Sequence, residues 1–192
     1  MTDKERLDLM MATNLSEIVK EDFLKWLAES GFFTAPASTK YHGNYAGGLF
    51  DHSFTVMNLL VELSAANGLK WKRPASPFLV GMFHDLCKID QYRPIIKAVE
   101  HFDNDQVATF YNECVGFEYN PNTLLKGHGD KSVMLLSQFT TLTDEETACI
   151  RYHMGAFTEK EEWRDYTRAV HAFPNVLWTH QADMLASHVV GI

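Results

Sequence analysis

Five short stretches place histidine or aspartate inside otherwise apolar or glycine-flanked sequence, and they limit what this chain can fold into more than any other feature. They are GGLFDHS around His52, FHDLCK with His84 and Asp85, GHGDKS with His128, RYHMG with His153 and ADMLAS with Asp183. Polar groups of this kind are seldom buried unless a partner or an ion compensates them. A single such histidine is more often structural than a ligand, so the argument rests on the joint pattern. Six candidate ligands spread from His52 to Asp183 point to a metal site that the fold itself assembles. Imidazoles suit borderline transition metals, and carboxylates can bridge two ions and balance their charge.

The spacing of apolar residues says how such a site is built. Residues 4–30 read as one or two helices, with Leu7, Met10, Leu15, Ile18, Phe23 and Leu27 at three-to-four spacing and Ser30-Gly31 as a stop. Residues 34–48 are turn-rich. A second helix spans 49–67 and closes at Asn67-Gly68. A third, 75–90, starts near Ser76-Pro77 and carries His84-Asp85. Further helices are expected at 129–139, at 144–152 and from Phe173 or Pro174 to Val190. His52, the His84-Asp85 pair, His153 and Asp183 then fall on separate helices, which is how bundles build metal sites in their cores. The expectation is an all-α, compact bundle of five to seven helices, with an irregular insertion around 91–126. Within that insertion, IIKAVEHF, VATFYNEC and GFEYNP read either as short strands or as loops.

Length and charge set the remaining bounds. With 192 residues the chain reads as a single domain, 1–192, with 1–40 as an N-terminal helical extension and 41–188 as the metal-site core. No apolar run approaches the roughly 20 residues of a membrane span, and the N-terminus lacks a secretory pattern. Cys87, Cys114 and Cys149 have no C-x-x-C spacing, so a disulfide framework is not expected and the reading is cytoplasmic. A formal net charge of -8 argues against a surface for duplex nucleic acid.

The five stretches, in their order, resemble the HD-domain superfamily of metal-dependent phosphohydrolases, in which an H…HD…D set holds a divalent metal within a helical core. YHGNYAGGLFDHS is also similar to the start of the HD module of bacterial 3′-5′ exoribonucleases, though this chain is too short to carry their oligonucleotide-binding module. The resemblance implies metal ligation by His52, His84, Asp85 and Asp183. With His128 and His153 added, it implies the dinuclear subset with Asp85 as bridge. Two ions about 3.5–4 Å apart can activate water and stabilise phosphoryl oxygens. Manganese, iron, nickel or zinc suits such a histidine-rich set, and magnesium suits it less. The chain departs from the family at Cys87, where glycine is usual, and that thiol reads as buried and inert.

The resulting expectation is a phosphohydrolase that cleaves a phosphomonoester or phosphodiester bond of a small, nucleotide-like substrate. Asp85, His128, Lys88 and Lys131 are its expected catalytic groups, and Lys88, Lys131 and Arg151 its phosphate partners. Arg93, Lys97 and Lys126 read as solvated surface rather than a specificity rim. Tyr41, Tyr45, Tyr92, Tyr111 and Tyr119 read as core or loop anchors more than base-stacking rings, and Glu159–Glu162 as a solvated face. His42, His101, His171, His180 and His188 read as structural or surface residues. The competing readings are an exonuclease on short single strands, a non-catalytic metal-bound ligand sensor and a dinuclear-iron oxygenase. A homo-oligomer is compatible with all of them.

Overall fold

The computed structural model describes residues 2–102, 104, 108–123, 125 and 127–192. Helix α1 (Asp3–Met11) opens with a capping box: the Thr2 hydroxyl accepts from the Glu5 N–H, and the Glu5 carboxylate accepts from the Thr2 N–H. A 3-10 turn (Asn14–Glu17) leads to α2 (Glu21–Glu29). Met10, Leu15, Phe23 and Leu27 from this region are buried, in keeping with their spacing. Phe23 meets Phe83 with ring centroids 5.1 Å apart, so the first 30 residues pack directly on the helix that carries the central ligands.

Helix α3 (Gly48–Asn67) ends at Gly68, whose φ of 61° gives the left-handed cap that glycine accepts without strain. Helix α4 (Ser76–Phe83) crosses α3 closely. A Cβ at Gly81 would stand 2.4 Å from Met57 Cα, so the approach depends on a residue with no side chain. Helices α5 (Gly129–Leu136) and α6 (Asp144–Arg151) follow, the second capped by Thr143 and Glu146. Helix α7 (Trp163–Ala172) precedes α8 (Asn175–Leu185), which runs on into a π-helical turn at Ala186–Val190. The sequence pattern did not anticipate α7.

A buried polar strut ties these layers together. Glu146 accepts from Arg73 Nε at 2.7 Å and from the Ser76 hydroxyl at 2.7 Å, while Glu145 accepts from the Lys72 N–H and from Asn175 Nδ2. The starts of α4, α6 and α8 are thereby fixed to one another.

The insertion corrects the all-α expectation. Tyr92–Phe102 (β1) and Ala108–Tyr119 (β2) form an antiparallel two-stranded sheet, from Tyr92 opposite Tyr119 to Phe102 opposite Ala108, with a bulge after Ile95. The protein is therefore mixed α and β, with eight α-helices among the described residues rather than five to seven. The helical pattern fails here because the ribbon obeys a period of two. Arg93/Glu118 and Lys97/Glu113 lie on one face, and Tyr92/Tyr119, Pro94/Phe117 and Ile96/Cys114 on the other. Neither strand packs extensively on a helix, and Phe110 and Ile96 are 65% and 55% exposed. No helix among the described residues is long and apolar enough to cross a membrane.

Candidate metal centre

The fold brings all six expected ligands together. His52 comes from the first half of α3, and Asp183 from the last turn of α8. His84 and Asp85 sit where α4 stops and a 3-10 turn (Leu86–Ile89) begins, not within one continuous helix as expected. Asp85 adopts φ -103°, ψ 19°, the sparsely used bridge region in which site residues are often held. That break turns the carboxylate into the centre of the cluster. His128 precedes α5, and His153 lies just beyond the C-cap of α6.

Asp85 divides the cluster in two. Its Oδ2 lies 3.5 Å from both His52 Nε2 and His84 Nε2, and Asp183 Oδ1 lies 3.2 Å from His52 Nε2. Its Oδ1 faces the other way, 2.9 Å from His128 Nε2 and 3.4 Å from His153 Nε2. Three overlapping triads emerge with ligand atoms within 4.8 Å of one another: His52/His84/Asp85, His84/His153/Asp183 and Asp85/His128/His153.

The imidazoles are oriented by their other nitrogens. Nδ1 of His84 donates to Gly81 O (2.8 Å), Nδ1 of His153 to Ile150 O (2.7 Å) and Nδ1 of His52 to Ile192 O (2.9 Å). A carbonyl only accepts, so each of these hydrogens sits on Nδ1, and a neutral ring presents the bare lone pair of Nε2 to the cluster. His128 differs: its Nδ1 meets Cys87 Sγ at 3.5 Å.

Nε2 of His52, His84 and His153 and Oδ1 of Asp85 are all buried without an aligned hydrogen-bond partner. The short distances between them are contacts in poor hydrogen-bond geometry. A buried polar atom left unpaired costs about 1–3 kcal/mol, and four in one cluster are unusual in a folded protein. Cations on the two sides of Asp85 would satisfy them. These buried His and Asp groups can thus hold a metal ion.

Titration behaviour agrees. Burial favours the neutral form of Asp85, but Lys88, His84 and His128 hold its carboxyl well below the usual carboxylate range. Partial burial opposes the charge of Asp183, but the nearby rings of His52, His84 and His153 depress it. Burial opposes protonation of His52, yet Asp183 and Asp85 outweigh it and raise His52 to about 9. Burial is also opposed at His153, which Asp85 raises. Burial dominates at His84 and His128 and lowers both. Two anions in a buried site therefore attract positive charge to its imidazoles.

The expected phosphate partners separate. Lys88 Nζ lies 2.6 Å from Asp85 Oδ2, at the cluster. Lys131 is buried and donates to Asp90 and to Thr123, away from the ligand atoms. Arg151 pairs with Asp130 at 2.5 Å, with Glu162, and with the hydroxyl of Tyr152. Arg93 pairs with Glu118 across the hairpin, and Lys126 lies outside the described residues. Cys87 is buried and its thiol is pushed up to about 12 by that burial, which keeps it protonated.

Sequence reasoning missed several contributors. Nδ1 of His180 donates to His153 O at 2.8 Å and so supports a ligand's backbone. Its position three residues before Asp183, on the same helix face, was the available signal. The Ile192 carbonyl carries no side-chain signal at all. Comparison with protein-family models, curated proteins and solved structures finds no match to this chain.

Proposed function

We propose that this protein is a metal-dependent phosphohydrolase of the HD-domain type, acting on a phosphomonoester or phosphodiester of a small, nucleotide-like substrate. The observation that carries the reading is the two-sided placement of Asp85, with His52, His84 and Asp183 grouped at one carboxylate oxygen and His128 and His153 at the other. That division supports two ions, the first held by His52, His84, Asp85 and Asp183 and the second by Asp85, His128 and His153.

Two divalent ions there would supply Lewis acidity for the phosphoryl oxygens and a water made acidic enough to attack near neutral pH. The donor set, four imidazoles with two carboxylates, favours manganese, iron, nickel or zinc over magnesium. Lys88, the cation nearest Asp85, is placed to neutralise phosphoryl charge. His128 is the most solvent-accessible of the four imidazoles, at 28% side-chain exposure, so the His128 side faces the route by which water arrives.

The reading is tested by measuring bound metal and hydrolysis of p-nitrophenyl phosphate with added Mn²⁺, in wild type and in Asp85→Ala. Wild type is expected to carry close to two ions per chain and to hydrolyse the ester, and Asp85→Ala to lose both properties. Full metal content and full hydrolysis in Asp85→Ala would remove the proposal.

A further inference from the structure

Asp85, Lys88 and Asp183 form the polar end of a cavity of about 660 Å³. Small-molecule sites span about 300–1,000 Å³. The remaining walls carry Tyr41, Met154, Phe157 and Met184, together with Ser187 and the imidazoles of His42, His180 and His188. Tyr41 is 82% exposed and Phe157 66% exposed, so neither ring serves the core. Two solvent-facing aromatic rings lining the same cavity as the buried Asp85 and the partly buried Asp183 make a ligand surface by their chemistry. Met154 and Met184 add polarisable, adaptable walls suited to the face or edge of a flat ring.

Charge narrows the ligand further. Lys88 is the one lysine or arginine among the residues lining this cavity. Lys131 is committed to Asp90 and Thr123, and Arg151 to Asp130 and Glu162. The second and third phosphoryl groups of a di- or triphosphate would therefore meet apolar side chains and the imidazoles of His42, His180 and His188, with no ammonium or guanidinium beyond Lys88 to balance them, and a poorly balanced charge in such a place is costly.

We propose, building on the hydrolase reading above, that the cavity takes a phosphate monoester with a planar aromatic body and a single phosphoryl group, and discriminates against polyphosphates. In the reaction the oxygen of water bonds to phosphorus and the ester P–O bond breaks. The electron pair of that bond leaves on the ester oxygen, which takes one proton from the attacking water. The products are hydrogen phosphate and the free alcohol or phenol.

The test is calorimetric binding to the Mn²⁺-loaded protein, using phenylphosphonate and methylphosphonate, which cannot be hydrolysed, and adenosine mono- and triphosphate at equal free Mn²⁺. Phenylphosphonate is expected to bind roughly tenfold tighter than methylphosphonate, as expected for burying one aromatic ring. Phe157→Ala and Tyr41→Ala should each reduce that ratio several-fold, and both side chains are exposed enough for the variants to fold. The triphosphate should bind no tighter than the monophosphate. Equal affinity for the two phosphonates in wild type, or a triphosphate preference of tenfold or more, overturns the proposal. If those results come with loss of both phosphonates in Asp85→Ala, the hydrolase reading survives without it. If Asp85→Ala binds both phosphonates like wild type, the hydrolase reading falls as well.

Discussion

Lys88 donates from Nζ to Asp85 Oδ2 across 2.6 Å, with both side chains buried at the centre of the cluster. The ammonium supplies part of the positive charge that the two aspartates demand. Burial works against it, but Asp85 holds Lys88 protonated by raising it above its ordinary value. Removing one partner of a buried ion pair leaves the other uncompensated, at about 3–5 kcal/mol. Lys88→Met is therefore expected to lower the metal-free melting temperature by roughly 6–20 °C. Added Mn²⁺ should then stabilise the variant by more than it stabilises wild type. An equal metal-induced shift in the two proteins, read by thermal denaturation, would separate Lys88 from the metal centre.

The two sides of Asp85 make ligand substitutions asymmetric. His128→Ala removes a group only from the Oδ1 side, and should reduce bound metal from two ions per chain to one. Asp183→Asn should weaken the His52/His84 side instead. Elemental analysis of the purified variants decides this, and loss of all metal in His128→Ala would mean that the two halves do not load independently.

Away from the cluster, acid stability should depend on Glu146. Burial disfavours its charge, but Arg73, the Thr143 N–H and Ser76 hold its carboxyl below 4.5. A depressed carboxylate contributes stability that is complete above its unfolded value, about 4.5, and is lost as pH falls through the folded one. Glu146→Gln is therefore expected to cost about 2 kcal/mol at pH 7. The gap to wild type should begin to narrow as pH falls below about 4.5. Urea denaturation at pH 7 and pH 3.5 measures it, and a gap independent of pH would contradict the assignment.

Gly81 offers a steric test. Its added Cβ would meet the Met57 backbone at 2.4 Å, and its carbonyl orients His84. Gly81→Ala should destabilise by about 1–3 kcal/mol through overpacking, and should also weaken metal binding by displacing the His84 ring. A variant with wild-type melting temperature would show that α3 and α4 separate more readily than this contact implies.

The candidate cluster was legible because each of its six members stands out chemically from an apolar or glycine-flanked background. Helices α3 and α6 were legible from apolar spacing, capping residues and glycine stops. The hairpin was not, because IIKAVEHF and VATFYNEC alternate imperfectly and the ribbon rests on pairing between strands rather than on a buried face. The roles expected of Lys131 and Arg151 hid another limit. A lysine three residues from a ligand can point at substrate or at an acid elsewhere in the chain, and nothing near Lys131 in sequence identifies Asp90 as its partner. Likewise, the helix-breaking backbone at Asp85 is dictated by what packs around it, since HDL itself contains no glycine or proline.

Asp90 gathers both ends of the hairpin: Asn120 Nδ2 donates to its carbonyl, and the Thr123 hydroxyl to its carboxylate. The polypeptide thus leaves the helical body and re-enters it at one knot. For an excursion closed at its root, the entropy of closure changes only logarithmically with length, about 0.6 kcal/mol for each doubling. Insertions, deletions or wholesale replacement of the ribbon would then be nearly neutral for the ligand-bearing helices. Evolution can rewrite what this arm touches while leaving the histidine and aspartate cluster at the heart of the molecule unaltered.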